Sequence, residues 1–224
     1  MRYTTVLLDL DNTLLDFNAG SRDALKDTFL HHGLPYSGEE WALYAQCNEA
    51  LWKAFERREI PKSLIYEERF RMYLEKRKLQ GDPAALNAMY LPLLAVHVHL
   101  MPQCMQLLKA LRERGCELAV VTNGETSTAY KRIARAGIRD LIDWIFISEE
   151  IGHAKPSTEF FDAVFREIGE EKRKTSIILG DSLTSDMQGG KNAGIATCLY
   201  RLDAEPDARC DYVIDQLTDF LRIL

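Results

Sequence analysis

The sequence has no paired cysteine motif, no membrane-length apolar run, no excess of positive charge and no internal repeat. Each absence removes a class. Five cysteines (Cys47, Cys104, Cys116, Cys198 and Cys210) are an odd number without a C-x-x-C spacing, so no disulfide framework is expected. Cys104, Cys116 and Cys198 lie in apolar contexts, where a free thiol behaves as a small hydrophobe, and a reducing, cytoplasmic setting is the expectation. The longest apolar stretch, from Met89 to Met101, contains His97 and His99 and is too short to span a bilayer. Asp9 and Asp11 interrupt the first apolar segment before it reaches the length of a secretory leader, so none is expected. A formal net charge of -6 gives no support to nucleic acid or an anionic membrane as partner. No low-complexity segment or charged tail stands out.

What is present is an ordinary globular composition, 46% hydrophobic and 28% charged over 224 residues. That length fits one domain with an insert or two small domains. The organising stretch is Val6-Leu7-Leu8-Asp9-Leu10-Asp11-Asn12-Thr13-Leu14. Its unbroken apolar run reads as a strand buried on both faces. Two carboxylates follow at i and i+2, where that strand ends and where α/β sheets bind ligands. Acids so close repel each other, and both stay ionised only with a cation between them. A bland reading, turn and cap residues closing a strand, suits an isolated D-x-D. Here three further polar clusters follow, each near the end of an apolar run: Thr122-Asn123-Gly124, Gly152 to Pro156 around Lys155, and Gly180-Asp181 with Asp186.

Between Asp16 and Leu91 the pattern is helical throughout. Gly33 stops a first helix, Glu39–Glu59 forms a second, Pro61 opens a third, and Asp82-Pro83 opens a fourth with proline at the favoured first turn. Trp41, Tyr44, Trp52, Tyr66, Phe70 and Tyr73 are read mainly as filling this bundle. From Leu91 onward strands and helices alternate: strands are expected at 116–122, 144–148, 175–179, 195–200 and 212–214, with a terminal helix after the last. Such units imply a mostly parallel sheet with right-handed crossovers. The expected division is therefore an α/β domain, 1–15 and 91–224, interrupted by an all-helical insert, 16–90.

Together, Asp9-x-Asp11-x-Thr13, Thr122, Lys155 before Pro156, and Gly180-Asp181 with Asp186 resemble the four motifs of the haloacid dehalogenase-like hydrolase superfamily. The match covers essentially the whole chain. Its phosphatase branch fits better than the dehalogenases, which lack an acid at the position of Asp11. The resemblance implies a Rossmann-like, doubly wound core and a helical cap of the first type (C1) that opens and closes on substrate. It implies Asp9 as nucleophile and Asp11 as general acid and base, with Thr122 and Lys155 completing the catalytic set. Thr122, the following N–H of Asn123, and Lys155 would bind the substrate phosphate. Mg²⁺ (or Mn²⁺) would be held by Asp9, the Asp11 carbonyl and Asp181, with Asp186 in a water-mediated or supporting place. An all-oxygen donor set suits such an ion. The detailed match around Gly180–Ile195 is to pyrimidine 5′-nucleotidases, so the expected substrate is a small phosphorylated metabolite, a nucleoside monophosphate first, turned over by a monomer or homodimer. A phosphatase or mutase of sugar phosphates or phosphoglycolate is the same-fold alternative, and a non-catalytic module that binds phosphorylated ligands is the third.

Other signals carry less. Gly189-Gly190-Lys191-Asn192 lacks the Ser/Thr of a P-loop and falls inside a helix. His97 and His99 have no third ligand nearby in sequence. Arg57-Arg58 and Lys76-Arg77-Lys78 read as solvated helix faces.

Overall fold

Val6, Leu7 and Leu8 are wholly buried within β1 (Thr5–Leu8), which pairs in parallel on both sides in the computed structural model describing residues 2–201 and 207–224. A strand covered on both faces has no solvent side, which is why the run carries no polar residue. Around it β2 (Glu117–Thr122), β3 (Trp144–Ile147), β4 (Ser176–Gly180), β5 (Ala196–Tyr200) and β6 (Tyr212–Ile214) form one sheet in the order β3-β2-β1-β4-β5-β6. All of its pairings are parallel. Leu8 stands opposite Val120 on one side and Leu179 on the other, so the strand order reverses at β1. That switch point is where such sheets bind ligands.

The helices are α1 (Phe17–His31), α2 (Gly38–Glu56), α3 (Lys62–Arg77) and α4 (Pro83–Leu94), then α5 (Cys104–Glu113), α6 (Thr126–Arg135), α7 (Ser148–Ile151), α8 (Thr158–Ile168) and α9 (Gln188–Ala193). Along β1, β2 and β4, alternate residues Leu7, Ala119, Val121 and Ile178 face one way. They pack with Phe160, Phe161, Val164, Phe165 and Ile168 of α8. Each such side chain contributes roughly 1.5–3 kcal/mol when fully buried.

The chain divides into two compact units, one formed by the segment ending at Phe17 together with His99–Leu224, the other by Asn18–Val98. The second is helical. Phe29, Tyr44, Phe70, Tyr73 and Tyr90 are its wholly buried rings, with Tyr44 and Phe70 5.2 Å apart and Phe29 and Tyr73 4.7 Å apart. Trp41, Trp52 and Tyr66, grouped with them from sequence, are only half-buried. Gly20 is needed in α1 because a Cβ there would overlap the His97 carbonyl oxygen.

Three expectations shift. The boundary at 90/91 falls inside α4: Leu86, Tyr90 and Leu94 are buried at four-residue spacing, so the apolar stripe carries the helix past Pro92 to its last turn. The helix expected around Gly189-Gly190-Lys191-Asn192 is preceded by a π-turn, Leu183–Met187, that leads into α9. The terminal helix is a 3₁₀ run, Leu217–Arg222, whose buried Leu217 and Phe220 sit at the three-residue spacing that this helix eclipses.

Candidate active site

Asp9 extends the pairing of β1 by one bond, its N–H donating to the Leu179 carbonyl at 2.9 Å. Leu10 then turns inward and is wholly buried, and its carbonyl accepts from the N–H groups of Leu14 (3.0 Å) and Leu15 (2.9 Å). Asn12 adopts the left-handed conformation, φ 58°, which asparagine tolerates better than most residues. The D-x-D spacing thus has a local cause: the apolar residue between the acids anchors a tight loop, and the carboxylates stay close enough to feel each other's charge.

Lys155 is only 1% exposed, yet all three ammonium protons are satisfied. Its Nζ donates to Asp9 Oδ1 (2.7 Å), Asp186 Oδ1 (2.6 Å) and the Val121 carbonyl (2.7 Å). Burial opposes its charge, but Asp186 and Asp9 more than offset that, and its pKa rises. Two bonds fix its backbone: the Lys155 N–H donates to Asn123 Oδ1, and Asn123 Nδ2 donates to the Lys155 carbonyl, both at 2.9 Å. The Asn123 side chain is therefore committed to Lys155, which leaves its backbone N–H, the group expected at the phosphate, for a ligand.

Asp186 is fully buried. Its Oδ2 accepts from the Ser182 N–H at 3.1 Å, and the carboxyl packs so tightly on Gly180 that any Cβ there would overlap it. It is an inward-facing anchor for Lys155, not a surface acid at a helix start. Thr122 ends β2 and is 1% exposed; its hydroxyl accepts from the Gly124 N–H at 3.0 Å. A Cβ at Gly124 would lie 3.2 Å from Thr122 Oγ1 and 3.7 Å from Asp11 Oδ2, so a side chain there would crowd both groups.

Sequence reasoning missed Arg132. It lies on α6, 4% exposed, with Nη1 2.6 Å from Asp11 Oδ1 and its guanidinium 5.7 Å from the Phe17 ring. The available signal was a charged residue on the apolar stripe of α6, beside Ala129 and Ile133. His97, which has no third ligand nearby in sequence, pairs with Asp27 at 2.7 Å.

Carboxylate oxygens of Asp9, Asp181 and Asp186 lie within 4.8 Å of one another. Burial, and then the charges of Asp186 and Asp11, push Asp9 up to about 7 against the pull of Lys155. Burial and the Asp9 and Asp186 charges likewise hold Asp181 well above the usual carboxylate range. One lysine does not neutralise this cluster, and a small divalent cation with oxygen ligands would. The Asp11 carboxylate is outside the set, engaged with Arg132, which leaves its backbone carbonyl as the donor that residue offers. The residues present thus fit a hard cation.

In sequence, the chain is 34% identical to the HAD-hydrolase YfnB of Bacillus subtilis, covering 92% of this chain and 87% of YfnB. It is 31% identical to the pyrimidine 5′-nucleotidase YjjG of Escherichia coli over 88% of this chain and 86% of that protein. It is 32% identical to the pyrimidine 5′-nucleotidase PynA of Streptococcus pneumoniae over 100% of this chain and 96% of that one. In structure, the YfnB crystal form bound to magnesium, described as revealing interdomain movement, superposes with a TM-score of 0.93 at 33% identity, covering 100% of this chain and 99% of YfnB. Residues 3–194 match the profile of the haloacid dehalogenase-like hydrolases, and the chain belongs to that family.

Proposed function

We propose that the protein is a Mg²⁺-dependent phosphomonoester hydrolase that works through an aspartyl-phosphate on Asp9 and acts on pyrimidine nucleoside 5′-monophosphates. The observation that carries the reaction class is the state of the Asp9 carboxylate. Lys155 pins Oδ1, while Oδ2 accepts no hydrogen bond among the described residues, so one oxygen is oriented and the other is open for attack. An oxygen of Asp9 attacks phosphorus as the ester P–O bond breaks, and Asp11 gives its proton to the leaving oxygen, releasing the alcohol. Water then attacks phosphorus and loses a proton to Asp11, the bond to Asp9 breaks, and phosphate leaves with both acids restored. Lys155 and the Thr122 hydroxyl offset charge on the transferring oxygens. Asp9, Asp181, the Asp11 carbonyl and Asp186 would hold Mg²⁺, which would supply further charge neutralisation at those oxygens.

The nucleotide assignment is supported by the two pyrimidine 5′-nucleotidases among the relatives, which match nearly the full chain at 31% and 32% identity. It is tested by kcat/KM with Mg²⁺ across UMP, dUMP, dTMP, sugar phosphates and phosphoglycolate. A peak on the pyrimidine nucleotides is expected. A peak on a sugar phosphate or phosphoglycolate would keep the chemistry and overturn the substrate. Absence of turnover throughout, or full activity in Asp9→Asn, would overturn the chemistry.

A further inference from the structure

From the contact between α6 and the loop after β1, we infer that Arg132 is a positioning residue for Asp11, holding its carboxylate where Oδ2 can deliver a proton to the leaving oxygen. The inference rests on the reading of Asp11 as general acid. Asp11 opens the turn at 12–14 and its side chain is 30% exposed, so burial alone does not fix its rotamer. Asp11 Oδ1 accepts no aligned hydrogen bond among the described residues, and Arg132, with Nη1 2.6 Å away, meets it as an ion pair. Arg132 is itself immobilised: its side chain is 5% exposed and its guanidinium lies by the Phe17 ring. A buried arginine carries a desolvation cost that ordinary surface pairs do not, and Nε finds no partner here. A Cβ at Gly124 would lie 3.7 Å from Oδ2, so the bare glycine keeps side-chain atoms away from that oxygen. A rigid cation at Oδ1 restrains the rotation of the carboxylate and so the position of Oδ2. Proton donation falls steeply with small misplacement, because it needs the donor within hydrogen-bond reach of the leaving oxygen.

Leaving-group dependence separates this role from a structural one. The P–O bond to an alkyl alcohol breaks only as its oxygen gains a proton, whereas 4-nitrophenolate leaves without one. Arg132→Met should therefore reduce kcat/KM for alkyl phosphates such as glycerol phosphate by about 10–100-fold, a part of the 10²–10⁴-fold typical of general acids. It should reduce kcat/KM for 4-nitrophenyl phosphate by less than about 3-fold, steepening the dependence on leaving-group pKa toward that of Asp11→Asn. Arg132→Lys, which keeps a cation, should fall between wild type and Arg132→Met, and serves alone if the methionine variant does not fold. An equal loss on all esters, or no loss, in either variant would overturn the role of Arg132. If Asp11→Asn itself shows the wild-type slope, the general-acid reading fails; if it steepens while the Arg132 variants do not, only the present inference fails.

Discussion

Removing divalent cations and raising the pH should destabilise this protein, an outcome opposite to that of most carboxylate-rich folds. Asp9 rises from an ordinary 3.8 to about 7 in the folded chain, first through burial and then through its acidic neighbours. A group whose folded pKa lies above its unfolded one contributes stability that is fully present below about pH 4 and is lost as pH climbs through 7. At about 1.4 kcal/mol per pH unit the whole gap amounts to about 4 kcal/mol. Between pH 5 and 8 more than half of it disappears, and Asp181, raised in the same direction, steepens the fall. A cation reverses the preference, since it binds the deprotonated cluster. At about 100 times its Kd it adds about 2.7 kcal/mol, and at pH 5 it must first displace protons. Urea unfolding in EDTA and in Mg²⁺, at pH 5 and pH 8, reads both effects. The metal-free protein should lose stability with pH, and the Mg²⁺ increment should be larger at pH 8 than at pH 5. Asp9→Asn, which cannot titrate, should flatten the metal-free slope by about one proton. A flat or rising metal-free profile, an equal Mg²⁺ increment at both pH values, or an unchanged slope in Asp9→Asn would refute the reasoning.

Three substitutions probe the frame around Asp9. Lys155→Met leaves Asp9 and Asp186 facing each other without their shared cation; a loss of about 3–5 kcal/mol in urea unfolding at pH 8 is expected, with a smaller loss at pH 5 where the acids take up protons. Asn123→Ala removes both bonds that hold the Lys155 backbone, costing about 2 kcal/mol and lowering kcat more than it raises KM. Gly180→Ala forces a methyl into the Asp186 carboxyl, so about 1–3 kcal/mol of stability and most of the activity should be lost, while exposed Gly38→Ala, where a Cβ meets open space, should leave activity unchanged.

Much of this was legible in the sequence because the site sits where apolar runs stop. Val6–Leu8, Leu118–Val121 and Ile177–Leu179 announce buried parallel strands, and the polar residues at their ends fall together once β1, β2 and β4 pair side by side. The parallel alternation and the helical insert were legible for the same reason, since both are written in hydrophobic period. Helix ends were less so. Pro92 suggests a stop, yet Leu94 is buried four residues after Tyr90, and packing of that stripe outweighs the lost hydrogen bond near a helix end. Asn123 shows a second limit. Its place after Thr122 suggests a ligand contact through its N–H, but the role of its side chain depends on a loop 32 residues away reaching its carboxamide.

Arg132 shows the third limit and has the greatest consequence for mechanism. Motif reading finds residues that act at the strand ends, because the spacing along one strand end is local. It does not find a residue whose role is to restrain one of them from a helix 121 positions later in the chain than Asp11. The structure also shows how differently the two acids are held. Asp9 is fixed by a lysine with three acceptors and two further acids nearby, so its orientation is overdetermined; Asp11 depends on one ion pair. Perturbing the first frame should therefore remove phosphoryl transfer for every ester. Perturbing the second should change which esters remain substrates, according to how badly their leaving oxygen needs a proton.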